Sequence, residues 1–284
     1  MAHITPTSFD EFTNPNTDNI PIGQYQLRYV TVKQNMFMSS AVRSISIDDS
    51  TSNLFITAST RGTIYVCNIN GELLYHFGSR LPLTELRNPW YNCIFGDLVY
   101  VSDYSTSKAS IYTTGGDIIT SFTELCGHKL KRPNGILIEP SEGDLILCDT
   151  DENVVLITHC NSMGLITTIR KDVLAQPYGI RLVQETIFVL GTVLNSRKIV
   201  QLSLSGEIHR IITMTIQSVS TYFFEIGEGN DIIICDNNWV YILDSNGLKI
   251  ASYANKSEGY TESSMVKYSS TQLLAIRVIY MMDS

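Results

Sequence analysis

The chain has no run of eighteen apolar residues, no CxxC pair, and no basic or apolar stretch at its amino terminus, Met-Ala-His-Ile-Thr-Pro. The first absence removes a membrane-spanning helix and the third a secretory signal, so the expectation is a soluble cytoplasmic protein that binds no membrane. Histidine is scarce, and His3, His76, His128, His159 and His209 include no HExxH pair. There is no phosphate-binding glycine loop, no Ser/His/Asp order of a known hydrolase and no RING-like Cys/His set. The six cysteines, Cys67, Cys93, Cys126, Cys148, Cys160 and Cys235, mostly sit inside apolar strand-like runs and read as reduced core residues. A formal charge of -8 argues against a general nucleic-acid or anionic-membrane binder, and no DNA is expected as a partner.

What is present is a repeat. A glycine turn followed by a short apolar strand recurs at Gly23, Gly71, Gly116, Gly164, Gly206 and Gly247, 41 to 48 residues apart. That period suits one four-stranded blade per repeat, with glycine supplying the positive φ of a tight turn. Two short β-branched strands precede each turn, as in Leu54–Thr57 and Thr63–Cys67. In three repeats a proline opens the innermost strand: Pro89-Trp-Tyr, Pro133-Asn-Gly-Ile and Pro177-Tyr-Gly-Ile. The carboxyl end reads as three strands, near Met265–Tyr268, Leu273–Ile276 and Val278–Tyr280, with Gln24–Val30 as the missing outer strand. The expected fold is therefore all-β: a six-bladed β-propeller of four-stranded antiparallel blades, closed by pairing the N-terminal strand with the C-terminal blade. Residues 1–22 read as a polar leader and 23–284 as a single propeller domain.

The third repeat, Arg132-Pro-Asn-Gly-Ile-Leu-Ile-Glu-Pro-Ser-Glu-Gly-Asp-Leu-Ile-Leu-Cys-Asp149, resembles the NHL repeat, and the resemblance extends in weaker form from about residue 40 to 253. Asp103, Asp149 and Asp236 fall at the repeat's aspartate, where Ser59 and Gly191 stand in the first and fourth blades. Such an aspartate holds the turn that follows it through a local hydrogen bond. The same Asn-Gly-Ile string is similar, more distantly, to six-bladed gluconolactonase-type hydrolases. That likeness implies calcium held in the axial channel, with Asn134 as the corresponding ligand. Calcium takes six to eight oxygens, and the neighbouring repeats offer Trp90-Tyr91, Tyr178-Gly179 and Tyr222-Phe223 instead. Peptide-amidating lyases resemble the fold too and hold zinc on converging histidines, but His76, His159 and His209 fall on outer strands and turns. No metal and no cofactor is expected.

Loops between blades, and between second and third strands, share one face, called the top here. It carries thirteen Lys/Arg against ten Asp/Glu, while the bottom turns carry acids alone, among them Asp48, Asp49, Glu139, Glu142, Asp144, Glu225 and Asp244. Aromatics at Trp90, Tyr91, Tyr104, Tyr178, Tyr222 and Trp239 join the top cations, and aromatic plus arginine is the composition of interaction hot spots. The expected activity is non-enzymatic: a scaffold holding a protein or peptide of acidic character on Arg87, Trp90, Lys131, Arg132, Asn134, Tyr178, Arg197 and Trp239. Alternatives are single-stranded RNA on the same face and a divergent calcium-dependent hydrolase.

Overall fold

The computed structural model describes residues 19–22, 24–33, 42–78, 86–158, 165–169, 174–193, 196–216, 223–236, 239–254, 265–267 and 272–279. The chain opens with β1 (Asn19–Ile22) and β2 (Tyr25–Lys33). Five meanders follow. They are β3 (Val42–Asp48), β4 (Asn53–Ala58), β5 (Thr63–Cys67) and β6 (Leu73–Phe77); then β7 (Pro89–Phe95), β8 (Leu98–Asp103), β9 (Lys108–Thr113) and β10 (Ile118–Phe122). A small two-stranded ribbon, β11 (Glu124–Leu125) and β12 (His128–Lys129), precedes the third meander, β13 (Pro133–Ile138), β14 (Leu145–Asp149), β15 (Val154–Thr158) and β16 (Leu165–Ile169). The fourth is β17 (Ala175–Val183), β18 (Thr186–Val193), β19 (Ser196–Ser203) and β20 (Ile208–Thr213); the fifth is β21 (Phe223–Ile226), β22 (Ile232–Asp236), β23 (Trp239–Leu243) and β24 (Lys249–Ala254). The chain ends with β25 (Met265–Lys267) and β26 (Gln272–Ile279). Each meander is a four-stranded antiparallel sheet whose strands pair in chain order, so the molecule is an all-β propeller with five such blades.

The blades are held by their faces. Phe55, Ile64 and Val66 of the first blade pack on Val99, Val101 and Tyr112 of the second. Similar clusters join the second blade to the third, the third to the fourth and the fourth to the fifth. Because both faces of a blade are covered, the middle strands are buried almost throughout, as at Leu54–Ala58 and Leu145–Asp149. Full burial of each Leu, Ile or Phe side chain there contributes about 1.5–3 kcal/mol. The outer strands β6, β10 and β20 are mostly exposed or half-buried, and leave Leu73, Leu74, Ile119, Ile208 and Ile211 exposed. The turn glycines Gly71, Gly116, Gly206 and Gly247 have φ of 82°, 95°, 84° and 85°. Each donates its N–H to the carbonyl three residues earlier, the tight turn their spacing implied. Gly23 and Gly164 lie outside the described residues.

The chain ends correct the sequence-based picture of six antiparallel blades. A further four-stranded sheet has the order β1-β2-β26-β25, and within it β2 runs parallel to β26 over eight residue pairs, Gln26↔Gln272 to Lys33↔Ile279. Leu273–Ile276 and Val278–Ile279 belong to one strand, because only Arg277 stands between them and it makes no turn. The carboxyl end thus supplies two described strands instead of three, and β2 moves from the outermost position to the third. As the segment feeding β3 it still runs towards the face on which β3 starts, and one step inward that direction matches β26. The last four residues of the expected leader form β1 and take the outer position. Gln24, in the turn between β1 and β2, donates its Nε2 to Asp231 Oδ2 of the fifth blade at 2.9 Å.

Among the described residues no helix is long and apolar enough to cross a membrane. Removing residues 271–284 takes away the strand that joins β2 to β25, and an uncovered sheet edge templates intermolecular pairing. The shortened chain is expected to aggregate on size-exclusion chromatography; a monomer with an unchanged melting profile is the contrary result.

Candidate functional site

The top face is organised by two buried carboxylates at the ends of second strands. Asp103 accepts the backbone N–H groups of Ser105 and Thr106 at 3.1 and 3.2 Å, holding the turn that follows as expected. It also reaches back to the loop that opens its own blade, accepting from Arg87 N at 2.6 Å and Asn88 N at 3.2 Å. Asp149 repeats the second contact one blade on, accepting from Lys131 N and Arg132 N, each at 2.9 Å, with His128 Nε2 at 3.2 Å. In the fourth blade Gly191 replaces the aspartate, and Leu174 fills the space, 2.5 Å from where a Cβ would stand. The side chain of Asp236 lies outside the described residues.

These clamps fix where the inner strands begin and so place the aromatic residues. Trp90, one residue into β7, is 9% exposed and stacks on Tyr104 with ring centroids 5.0 Å apart. The Arg43 guanidinium lies 4.5 Å above the Trp90 ring, and that of Arg132 lies 4.8 Å above Tyr104. Arg43, Trp90, Tyr104 and Arg132 therefore form one alternating stack, which begins in the inner wall and ends at the exposed Arg132. Arg43 was not among the residues singled out from sequence, because it lies in the first blade without a motif around it. Arg197 stands 5.5 Å over Tyr178, whose hydroxyl donates to Gln176. Trp239, 42% exposed, stacks on Tyr241 at 5.8 Å and is not joined to the main stack. Arg87 is exposed beside the Asp103 clamp. Tyr222 lies outside the described residues.

The top cations are less available than a count of charges implies. Lys131 pairs with Glu152, and Arg132 Nε lies 3.0 Å from Asp151. The hydrogen bond and charge of Glu152 push the Lys131 ammonium above its ordinary pKa. On the bottom, burial raises Asp48 and Glu139, but hydrogen bonds from Ser50 and Thr51, and from Ser141 and Glu142, outweigh it and hold both below the usual carboxylate range. The backbone N–H of Leu248 does the same, foremost among several donors, for Asp244. Much of the acidic bottom is thus turn-holding carboxylate. Glu225, expected in a bottom turn, instead faces inward from β21 and pairs with Arg181 at 2.5 Å.

Asn134 is fully buried. Its Nδ2 donates to Thr150 Oγ1 at 3.3 Å, and its Oδ1 has no hydrogen-bond partner. The residues level with it in the other blades, counted from the strand openings, are Arg43, Trp90 and Tyr178. A guanidinium and two aromatics beside one amide do not make a calcium cage of six or more oxygens. Among the described residues no three His, Cys, Asp or Glu converge on a metal position. Cys67 and Cys148 are free and buried, and burial pushes the Cys67 thiol up to about 12, so it is no nucleophile. One residue beyond Trp90, Tyr91 meets Phe223 at 4.8 Å although two blades separate β7 from β21, a meeting that only an axial position allows. Among the described residues, the aromatic filling of the channel comes from this pair.

No family model and no curated protein sequence matches the chain. Solved structures do. A gluconolactonase from Xanthomonas campestris is 13% identical with a TM-score of 0.65, covering 88% of each chain. Virginiamycin B lyase from Staphylococcus aureus is 15% identical with a TM-score of 0.58, covering 80% of this chain and 74% of that one. The WD40 repeats of RRP9 are 12% identical with a TM-score of 0.58, covering 80% and 70%. At these identities the likeness shows the propeller fold alone.

Asp149 carries the backbone of a whole blade opening, and hydrogen bonds to a charged group contribute about 1.5–3 kcal/mol each. Asp149→Ala is expected to cost about 3 kcal/mol or more by denaturant unfolding, with Asp149→Asn between it and the parent. The lowered carboxylates of Asp48 and Glu139 stabilise the fold above the ordinary carboxylate range, and that stabilisation fades as pH falls through their folded values. The double variant Asp48→Asn, Glu139→Gln is expected to be less stable than the parent at neutral pH, by a margin that shrinks from about pH 5 towards pH 2. A margin constant with pH in parallel thermal melts contradicts this.

Proposed function

We propose that the chain is a non-enzymatic binding propeller that engages a protein or peptide partner on its top face, with the sheet of chain ends acting as a sixth blade that closes the ring. Closure is supported by the position of β25 against both β21 and β3. It also accounts for the burial of Val42, Ile45, Leu54 and Ile56 on the side of the first blade turned away from the second.

The observation that carries the binding reading is the Arg43–Trp90–Tyr104–Arg132 stack. Planar guanidinium and aromatic groups offer a large contact area at low side-chain entropy cost, and interface hot spots are enriched in these residues. Its inner half is core, so Trp90 is the footing. Tyr104 and Arg132 are the surface a partner meets, with Arg87, Lys131, Tyr178, Arg197 and Trp239 around them. The pairing of Lys131 with Glu152 and of Arg132 with Asp151 favours a peptide over RNA, since each phosphate bound must first displace a carboxylate.

One observation favours a second reading, a calcium-dependent hydrolase: the unpartnered Asn134 Oδ1 in the inner wall. Arg43, level with it on the inner strand of the first blade, opposes that reading. A chelator is expected to leave the melting temperature unchanged; a drop restored only by calcium reverses the order of the two readings.

The binding reading is tested by selecting peptides from a displayed library on the whole chain, beside a pool of single-stranded RNA. Selected peptides are expected to lose about 2 kcal/mol or more of affinity on Tyr104→Ala or Arg132→Glu, with mild salt dependence. Enrichment of RNA, with affinity falling steeply and linearly on logarithmic axes as salt rises, makes RNA the ligand. Peptides insensitive to both substitutions but lost on neutralising Asp49 and Glu142 place binding on the bottom face.

A further inference from the structure

The Arg43–Trp90–Tyr104–Arg132 stack has two unlike ends. The inner end is core, since Trp90 is buried and Arg43 lies over it in the channel wall. The outer end is Arg132, whose side chain keeps 47% of its surface accessible. A guanidinium is a planar group with two faces and an edge of five N–H donors. One face of Arg132 lies 4.8 Å from the Tyr104 ring centroid, and the Nε side of its edge lies 3.0 Å from Asp151 Oδ2. What is left accessible is the second face and the terminal nitrogens. Among the described residues no ring covers that face, because the other guanidinium–ring contacts, on Trp90, Tyr91 and Tyr178, are made by Arg43, Arg181 and Arg197.

The open face is held in place from below and behind. The backbone N–H of Arg132 donates to Asp149 Oδ1 at 2.9 Å, and its carbonyl accepts from Thr150 N at 3.0 Å. Tyr104 beneath it donates its own N–H to Asn88 O at 3.1 Å and lies on Trp90 with the two ring planes 24° apart. A surface arginine ordinarily loses rotamer freedom when a partner orders it, and here the ordering precedes binding. The ion pairs decide what chemistry the face takes. Asp151 already meets the charge of Arg132 and Glu152 that of Lys131, so a carboxylate from a partner has to displace one of them. A ring displaces nothing: it lies on the face and leaves the Asp151 contact at the edge intact.

We propose, resting on the top-face reading above, that the partner's anchor is an uncharged aromatic side chain that lies on the open face of Arg132 and extends the stack by one ring. It takes the place of the acidic anchor that a count of top-face cations suggests. The terminal nitrogens of Arg132 then donate to a backbone carbonyl of the segment that carries the ring. A nucleobase has a π-face as well, but it arrives with phosphates, which Lys131 and Arg132 bind only by giving up Glu152 and Asp151.

The test starts from the peptides selected on the whole chain. One Tyr, Trp or Phe is expected to dominate their alanine scan, its truncation weakening binding about thirtyfold or more by calorimetry. Two finer changes separate stacking from bulk and from charge. Cyclohexylalanine in place of the ring keeps its size and apolarity, and is expected to weaken binding about threefold. Arg132→Lys keeps the charge without the plane; it is expected to cost about threefold too, and on that variant cyclohexylalanine is expected to cost nothing further. The change on the peptide leaves the folding of the chain untouched. With labelled arginine, the Arg132 Nε–H resonance is expected to move upfield when the aromatic peptide binds and to stay when the cyclohexyl peptide does. An acidic residue at the dominant position, cyclohexylalanine as good as the ring, or a cyclohexylalanine penalty that persists on Arg132→Lys overturns the aromatic anchor and leaves the top-face site standing. Peptides insensitive to Tyr104→Ala, or RNA enriched in their place, overturn both.

Discussion

Every inner strand of this propeller has to start beside the axis, after a loop whose backbone has no sheet partner of its own. The fold depends on how those orphan N–H groups are satisfied. In the second and third blades the answer is one carboxylate at the end of the next strand, Asp103 or Asp149, which takes two consecutive N–H groups from the loop that precedes β7 or β13. Backbone bonds beside each clamp, Tyr104 N to Asn88 O and Thr150 N to Arg132 O, complete it. The clamp fixes the depth at which Trp90 and Asn134 meet the channel, and hence what the top face presents. Where aspartate is missing, as at Gly191, the same space is filled by Leu174, so packing replaces charge.

From the clamps the interactions pass from blade to blade. Ser102 Oγ donates to Asn134 O, Thr150 Oγ1 donates to Pro177 O, and Asn92 N donates to Ser44 Oγ, so the first four blades are tied, neighbour to neighbour, near the axis by a hydroxyl. Close approach makes this possible. A Cβ on Gly135 would stand 2.7 Å from Tyr178 O and 2.8 Å from Ile180, which is why the Pro-x-Gly pattern puts glycine there. Tyr91, at the matching place of the second blade, sends its ring across the axis to Phe223. A repeat that reads as strand punctuation is, in space, the rule for how close two blades can come.

The repeat was legible because its strongest marks are local. A glycine at positive φ and an aspartate bonded two or three residues on leave their signal within a few positions of themselves. What the sequence hid is what couples distant positions. Arg181 and Glu225 are 44 residues apart and belong to different blades; only their equal distance from the hairpin ends links them, and Glu225 passed for one more acid of a bottom turn. The parallel pairing of β2 with β26 was hidden for a similar reason. Strand propensity says that Gln24–Val30 and Leu273–Ile276 extend, but not that Arg277 carries the second on without a turn.

The two faces also show why charge counts are a weak guide to what a propeller binds. The top has more cations than the bottom, yet Lys131 and Arg132 are matched by Glu152 and Asp151, and Arg43, Arg132 and Arg197 lie over aromatic rings. On the bottom, Asp48, Glu139 and Asp244 hold their own turns. A carboxylate that already accepts three hydrogen bonds offers little to a ligand, however negative the face it stands on. Glu225 is matched in the same way by Arg181, so on this side too a count of acids overstates the charge a ligand would meet.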